Sequence, residues 1–126
     1  MPAAARAAVA RRAALRRWIR VRFGGPSFAA LGLPGGALID QGLDDLAAGR
    51  ATPESLLVSL AAPRLRREAI PLPAACLQDA DQRLYRLLEA SHGALAHARY
   101  LALLRQAASF ADACRCAWPR RDRHAQ

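Results

Sequence analysis

Cysteine and histidine are the residue types of this chain that could hold a transition metal. Three thiolates are too few for a four-cysteine zinc site, and no CxxC pair is present. If the last helix runs through residue 116, Cys114 faces the core and Cys116 lies about 160° around the helix axis, so the two could not share an ion. An odd cysteine count fits free thiols in a reducing compartment, and we predict no metal and no cofactor. The candidates are Cys76, Cys114, Cys116, His92, His97 and His124.

A carboxylate cluster is the other group that could do chemistry. Asp40 and Asp44 are four residues apart, which puts them on one face of a helix, and Asp45 is adjacent. The cluster could hold a divalent cation or transfer protons, but no second cluster and no nucleophile accompany it. A solvated helix face is the favoured interpretation, and a further one is that this face accepts arginines of the first helix. The motifs GxxxxGK[ST], GxGxxG and GxSxG do not occur, so we expect a protein that is not an enzyme.

Arginine is the remaining residue type of interest, and its distribution is uneven. Residues 1–39 contain seven arginines and no acid, residues 40–112 contain eight arginines and nine acids, and residues 113–126 contain four arginines and one acid. Basic ends on a nearly neutral body indicate an anionic partner. The chain has no lysine and no asparagine, whose codons are AT-rich. This indicates a bacterial source with a GC-rich genome and attributes part of the arginine content to mutational bias.

The pattern of residues 1–23 predicts a basic amphipathic helix, which is expected to end at Gly24 and Pro26. At about 100° per residue, a narrow apolar seam faces one way and arginines face the other, with Arg11 and Arg22 interrupting the seam. The pattern also suits a helix on anionic lipid with Trp18 as its anchor, or a mitochondrial presequence, although residues 1–22 lack the usual serines. The seam is Ala4, Ala8, Leu15, Trp18 and Ile19, and the opposite face is Arg6, Arg12, Arg16, Arg17 and Arg20.

The rest of the chain shows helical periodicity without convincing strand alternation, which predicts an all-α fold. We predict a single domain over residues 1–118, a small bundle of four to five helices with its helical core in residues 37–118. Residues 119–126 are basic and are expected to form a disordered tail. The expected core side chains are Leu56, Leu57, Leu60, Leu84, Leu88, Leu103, Leu104 and Phe110.

Single residues predict several helix ends. Thr52 is a good N-terminal cap because a proline follows it at the first helical position. Gly49 suits the C-terminal end of the preceding helix. Asp79 and Gln82 have capping-box spacing. Pro63 is expected to stop or kink the third helix.

Arginines along the first helix could contact successive phosphates with an affinity that falls steeply with salt, and Arg64 and Arg67 would extend that surface. We therefore predict a small basic accessory or regulatory protein that binds nucleic acid. The alternative is a protein-interaction module, antitoxin-like or an adaptor subunit, that binds an acidic surface of a larger partner. A third interpretation is that the arginines only meet water. The candidate binding residues are Arg6, Arg11, Arg12, Arg16, Arg17, Trp18, Arg20, Arg64 and Arg67.

Location follows from what the sequence lacks. No apolar run reaches the roughly 18 residues that a spanning helix needs, so integral membrane association is not expected. Arginines recur where a secretory signal would have its apolar stretch. We predict a cytoplasmic protein, and both function hypotheses leave homo-oligomers open.

Overall fold

Helices make up most of the computed structural model, which describes residues 2–73 and 76–125, with side chains as far as residue 117. The predicted all-α fold is confirmed. The disordered tail predicted for residues 119–126 is not confirmed, because α5 continues through residue 125. Turns over residues 24–35 follow the first helix, and the 3₁₀ turn Gly93–Leu95 separates the last two. The helices are α1 (Ala3–Phe23), α2 (Gly36–Ala47), α3 (Pro53–Arg67), α4 (Ala80–His92) and α5 (Ala96–Ala125).

α3 begins at the residue that the sequence predicts. The Thr52 hydroxyl accepts a hydrogen bond from the Ser55 amide at 3.1 Å, and the Ser55 hydroxyl accepts one from the Thr52 amide at 2.8 Å. Each side chain thereby satisfies a backbone donor that the first turn leaves without a partner. A cap of this kind contributes about 1 kcal/mol to helix stability.

α2 ends in a Schellman turn, with Gly49 at the left-handed position as predicted (φ +75°). The Gly49 amide donates to the Leu46 carbonyl at 3.1 Å and the Arg50 amide donates to the Asp45 carbonyl at 2.8 Å. The second of these bonds returns the chain toward α2. Arg50 is therefore held beside Asp45, and its guanidinium donates a hydrogen bond to the Asp45 carboxylate.

α3 runs through Pro63 to Arg67, so Pro63 does not stop the helix. Proline removes one ladder hydrogen bond, but Leu65 just after it is fully buried and fixes the last turn to the core. The helix then ends in a second Schellman turn, in which the Ile70 amide donates to the Leu65 carbonyl at 3.2 Å. The left-handed position of this turn is occupied by Ala69 (φ +63°) rather than by glycine.

The predicted capping box at the start of α4 is wrong. Asp79 has a left-handed backbone (φ +52°), and its carboxylate makes no capping hydrogen bond. A capping side chain needs an extended backbone to reach the first-turn amides, and the left-handed conformation does not provide it. The spacing to Gln82 alone carried no information about that backbone angle.

α3 lies at the centre of the fold, in contact with α2, α4 and α5, while α1 packs on α2 and α5. The predicted core is confirmed except for Leu60 and Leu104, which are half-buried. α1 joins the core through edge-to-face aromatic contacts. The ring centroids are 5.8 Å apart for Trp18 and Phe23, 5.9 Å for Phe23 and Phe28, and 4.8 Å for Phe28 and Phe110.

Candidate partner-binding surfaces

Three arginines of α1 point away from the bundle. Arg6, Arg17 and Arg20 are exposed, and none of their side chains forms an ion pair or hydrogen bond with another residue of the described part of the chain. At 1.5 Å per residue, Arg17 and Arg20 are about one turn apart, whereas Arg6 lies about 16 Å from Arg17 along the helix axis. We call these three residues the outer arginine face.

Two other candidate arginines contact α2. The Arg11 guanidinium donates to the Ala47 carbonyl at 2.6 Å, and the Arg16 guanidinium lies 3.8 Å from the Asp44 carboxylate. The first contact is a short hydrogen bond to a helix end, whereas the second is a long ion pair between partly exposed groups, which contributes little to stability. The side chains of Arg11 and Arg16 thus already contact α2 and are less available to a partner.

The aspartates of α2 do not act as one acidic face. Asp40 accepts hydrogen bonds from the Phe28 and Ala29 amides at 3.1 Å and 2.9 Å, so it fixes the turn between α1 and α2. Asp44 is half-exposed and meets Arg16. Asp45, expected on the solvated face, is only 3% exposed. The three carboxylates therefore serve three separate structural purposes.

Asp45 is buried because three neighbouring side chains satisfy its carboxylate. It accepts hydrogen bonds from the Thr52 hydroxyl at 2.6 Å, from Arg50 at 2.9 Å and from the Gln41 amide at 3.0 Å. Burial acts to raise the pKa of Asp45, but these hydrogen bonds and the charge of Arg50 outweigh it and leave the pKa below its ordinary value. The network links the end of α2 to the start of α3.

Trp18 is half-buried and contacts two side chains of its own helix. Its ring packs edge-to-face on Phe23, and the Arg22 guanidinium lies 5.9 Å from the ring centroid. Both contacts lie within α1, and Trp18 is in addition partly buried against the core cluster that contains Phe23.

Arg12 differs from the other arginines of α1. It is half-buried, and its Nε is buried without a hydrogen-bond partner among the described residues. An unsatisfied buried donor costs about 1–3 kcal/mol. Arg12 lines a cavity of about 300 Å³ between α1, α2 and the extended segment Pro71–Pro73, which we call the Arg12 cavity.

A second concave surface, of about 560 Å³, lies between α3 and α5. Leu60 from α3 and Leu101 and Leu104 from α5 form its apolar floor, which explains why two predicted core leucines are only half-buried. Three arginines stand along its edges. We call this surface the basic groove, and its arginines are Arg64, Arg67 and Arg105.

The two walls of the basic groove follow helical spacing. Leu60, Arg64 and Arg67 are separated by four and three residues, as are Leu101, Arg105 and Ala108. Each helix therefore turns a continuous strip toward the groove.

Charge along the groove is only partly neutralised. Arg64 is paired with Asp112 at 3.0 Å, and Asp112 is shared with Arg115 at 2.6 Å. Arg67 and Arg105 have no such partner in the described part of the chain.

Sequence reasoning placed Arg64 and Arg67 in the site but missed Leu101 and Arg105. The helical periodicity of residues 96–114 predicts an apolar stripe with Arg105 opposite it; the stripe faces the core as predicted, and Arg105 is exposed but lines the groove. Only the packing of α3 on α5 shows which leucines of the two helices stay open.

The thiols and histidines are dispersed. Among the residues that the structure describes, no three of the metal-binding types lie close enough to hold an ion. Cys76 is half-buried with its sulfur 3.5 Å from Arg66, Cys114 is buried and Cys116 is exposed. Burial, followed by the negative charge of Glu68, raises the pKa of Cys114 to about 12.

Of the helices described, none combines the length and the apolarity required to span a bilayer. Comparisons of the chain with protein-family models, with curated proteins and with solved structures found no match.

Proposed function

We propose that this protein is a non-enzymatic interaction protein that binds an acidic, amphipathic helix of a protein partner in its basic groove. The observation that carries the proposal is the combination of three half-open leucines and three arginines on one concave surface. Protein interfaces typically pair an apolar centre with a polar rim and are enriched in arginine. Two packed helices with a groove between them can accept a third helix through its i, i+3, i+4 and i+7 side chains.

Arg67 and Arg105 supply the specificity in this proposal. Both lack an intramolecular ion-pair partner in the described residues, so a carboxylate of the partner would gain a charge-assisted hydrogen bond without breaking an existing one. Arg64 would first have to leave Asp112 or share it. The leucines supply the apolar area, and Leu101 is already 36% exposed.

The experiment is a titration with a fluorescent synthetic helix that carries leucines on one face and glutamates on the other. We expect the double variant Arg67→Gln/Arg105→Gln to bind at least tenfold more weakly, because it loses two rim cations. The matched control is Arg86→Gln/Arg99→Gln, which removes the same charge from exposed positions outside the groove and should change the affinity less than twofold.

The apolar part is tested separately by Leu101→Ser. This residue is exposed enough for the change to leave the fold intact, and the peptide affinity should fall at high salt as well as at low salt. Equal loss of binding in the groove variant and the charge-matched control would show that net charge alone attracts the peptide. That result would refute the proposal.

Nucleic-acid binding is the second candidate function, and the outer arginine face favours it. The side chains of Arg6, Arg17 and Arg20 have no ion-pair or hydrogen-bond partner in the described residues and project from one side of α1. The triple variant Arg6→Gln/Arg17→Gln/Arg20→Gln should lower affinity for labelled DNA or RNA and reduce its salt dependence by up to three counterion contacts. We rank this function second because only three of the predicted arginines on α1 are exposed without an intramolecular contact, and Trp18 packs against the core.

A further inference from the structure

We propose that the Arg12 cavity binds a small monocarboxylate with an apolar tail. The cavity lies between α1, α2 and the Pro71–Pro73 segment and is separate from the basic groove, with which it shares no residue. The inference therefore stands apart from the proposed partner-binding function.

The walls of the cavity are those of a ligand site for an apolar group. Leu15 and Trp18 of α1, Leu43 of α2 and Leu72 of the extended segment all face it. Its volume of about 300 Å³ is at the lower end of the range for small-molecule sites. At roughly 30 Å³ per water, this space suits a ligand of about ten non-hydrogen atoms.

The polar end of the cavity is cationic. Arg11 and Arg12 both line it, and no acidic side chain of the described residues does. Arg11 already donates one N–H to the Ala47 carbonyl, so Arg12 is the residue with unused donor capacity, since its Nε is buried without a partner within the described chain. Guanidinium groups bind carboxylates through two parallel hydrogen bonds. A carboxylate head would satisfy the Arg12 donor that the fold leaves unsatisfied.

A single negative charge fits this site better than a double one. The surroundings of Arg12 are largely apolar, and removing a dianion from water costs more than removing a monoanion. Octanoate is therefore the probe, because it has one carboxylate and about ten non-hydrogen atoms. Octanol and octylammonium have similar tails with a neutral or a positive head, and they separate charge recognition from apolar binding.

Trp18 makes the site observable, since it lines the cavity. The chain has two tryptophans, so the Trp118→Phe protein leaves Trp18 as the sole reporter. Titrating this protein with octanoate below its micelle concentration should change the Trp18 emission saturably. Octanol should bind at least tenfold more weakly, and octylammonium more weakly still.

Arg12→Met should weaken octanoate binding at least tenfold and leave octanol binding within twofold, because it removes the cation and keeps much of the side-chain volume. The control Arg17→Met removes a charge from the outer arginine face and should leave both affinities unchanged. Ala14→Phe is a second test that keeps Arg12. Ala14 is exposed and lines the cavity, so the larger side chain should block both ligands without disturbing the core.

Three results would overturn the proposal. The first is equal affinity for octanoate and octanol, which would leave only apolar binding. The second is unchanged octanoate binding in Arg12→Met or in Ala14→Phe, which would place the ligand elsewhere. The third is no saturable change of Trp18 emission together with no contact between octanoate and protein in ligand-observed NMR.

Discussion

The Arg11 guanidinium donates a hydrogen bond to the carbonyl oxygen of Ala47, 36 residues away, with 2.6 Å between nitrogen and oxygen. Ala47 is the last residue of α2, where carbonyls have no partner within the helix. A cation at this end also interacts favourably with the helix dipole. Arg11 interrupts the apolar seam of α1 in the sequence. In the structure, its hydrogen bond connects α1 to the C-terminal end of α2.

Arg11→Met should lower the free energy of unfolding by about 1–2 kcal/mol, because the Ala47 carbonyl loses a charged donor. Urea denaturation followed by circular dichroism measures the change. Arg17→Met removes the same charge from the same helix without removing a contact in the described structure, and it should stay within about 0.5 kcal/mol of the wild type. Equal destabilisation by the two variants would mean that Arg11 contributes through helix propensity or net charge and not through Ala47.

The lowered pKa of Asp45 predicts that the fold loses stability in acid. Its pKa is lower in the folded protein than the ordinary value of 3.8, so the folded state binds a proton less readily than the unfolded state. The stabilisation is fully present above about pH 4 and is lost as the pH falls through the folded-state pKa. Asp45→Asn should cost about 2 kcal/mol at pH 7, a value discounted because Arg50 is 56% exposed.

Denaturation midpoints of wild type and Asp45→Asn, measured at pH 7, 4 and 3, test this expectation. The difference between the two proteins should shrink as the pH falls, because the wild-type carboxylate becomes protonated. The control is Asp44→Asn. Asp44 is partly exposed and lies 3.8 Å from the Arg16 guanidinium, so this variant should differ from the wild type in stability by close to zero at every pH. A stability gap for Asp45→Asn that widens on acidification would contradict the assigned direction of the pKa change.

Local sequence patterns predicted the helices better than they predicted the contacts that the helices make with other parts of the chain. The stripe of α5, the Thr52 cap and the Gly49 turn were predictable because each depends on residues within one or two turns of each other. Asp45 was assigned to solvent because a helical wheel shows direction but not the Arg50 and Thr52 donors that the next loop brings back. The basic groove depends on how α3 and α5 pack, and no pattern within either helix contains that information.

Ala69 occupies a position that glycine normally fills. Its φ of +63° is unfavourable for a residue with a Cβ atom. Ala69→Gly should therefore stabilise the fold by about 0.5–1 kcal/mol, after the greater freedom of glycine in the unfolded chain is subtracted. Gly49→Ala is the matched reverse change, since Gly49 holds the same position at the end of α2 with φ +75°, and it should destabilise by a similar amount. Thermal unfolding of the two variants measures both effects, and shifts of the same sign would be incompatible with this explanation.

Cys114 and Cys116 should differ sharply in reactivity although they are two residues apart. Cys114 is 1% exposed, and burial together with the charge of Glu68 raises its pKa to about 12, whereas Cys116 is exposed. Because the thiolate is the species that reacts with iodoacetamide, native protein at pH 8 should be alkylated at Cys116 at least 100-fold faster than at Cys114. Peptide mapping by mass spectrometry follows both sites in one sample, and the rates should converge in denaturant. Comparable native rates would show that α5 turns Cys114 toward water, which would also invalidate the packing of its neighbour Phe110 in the core.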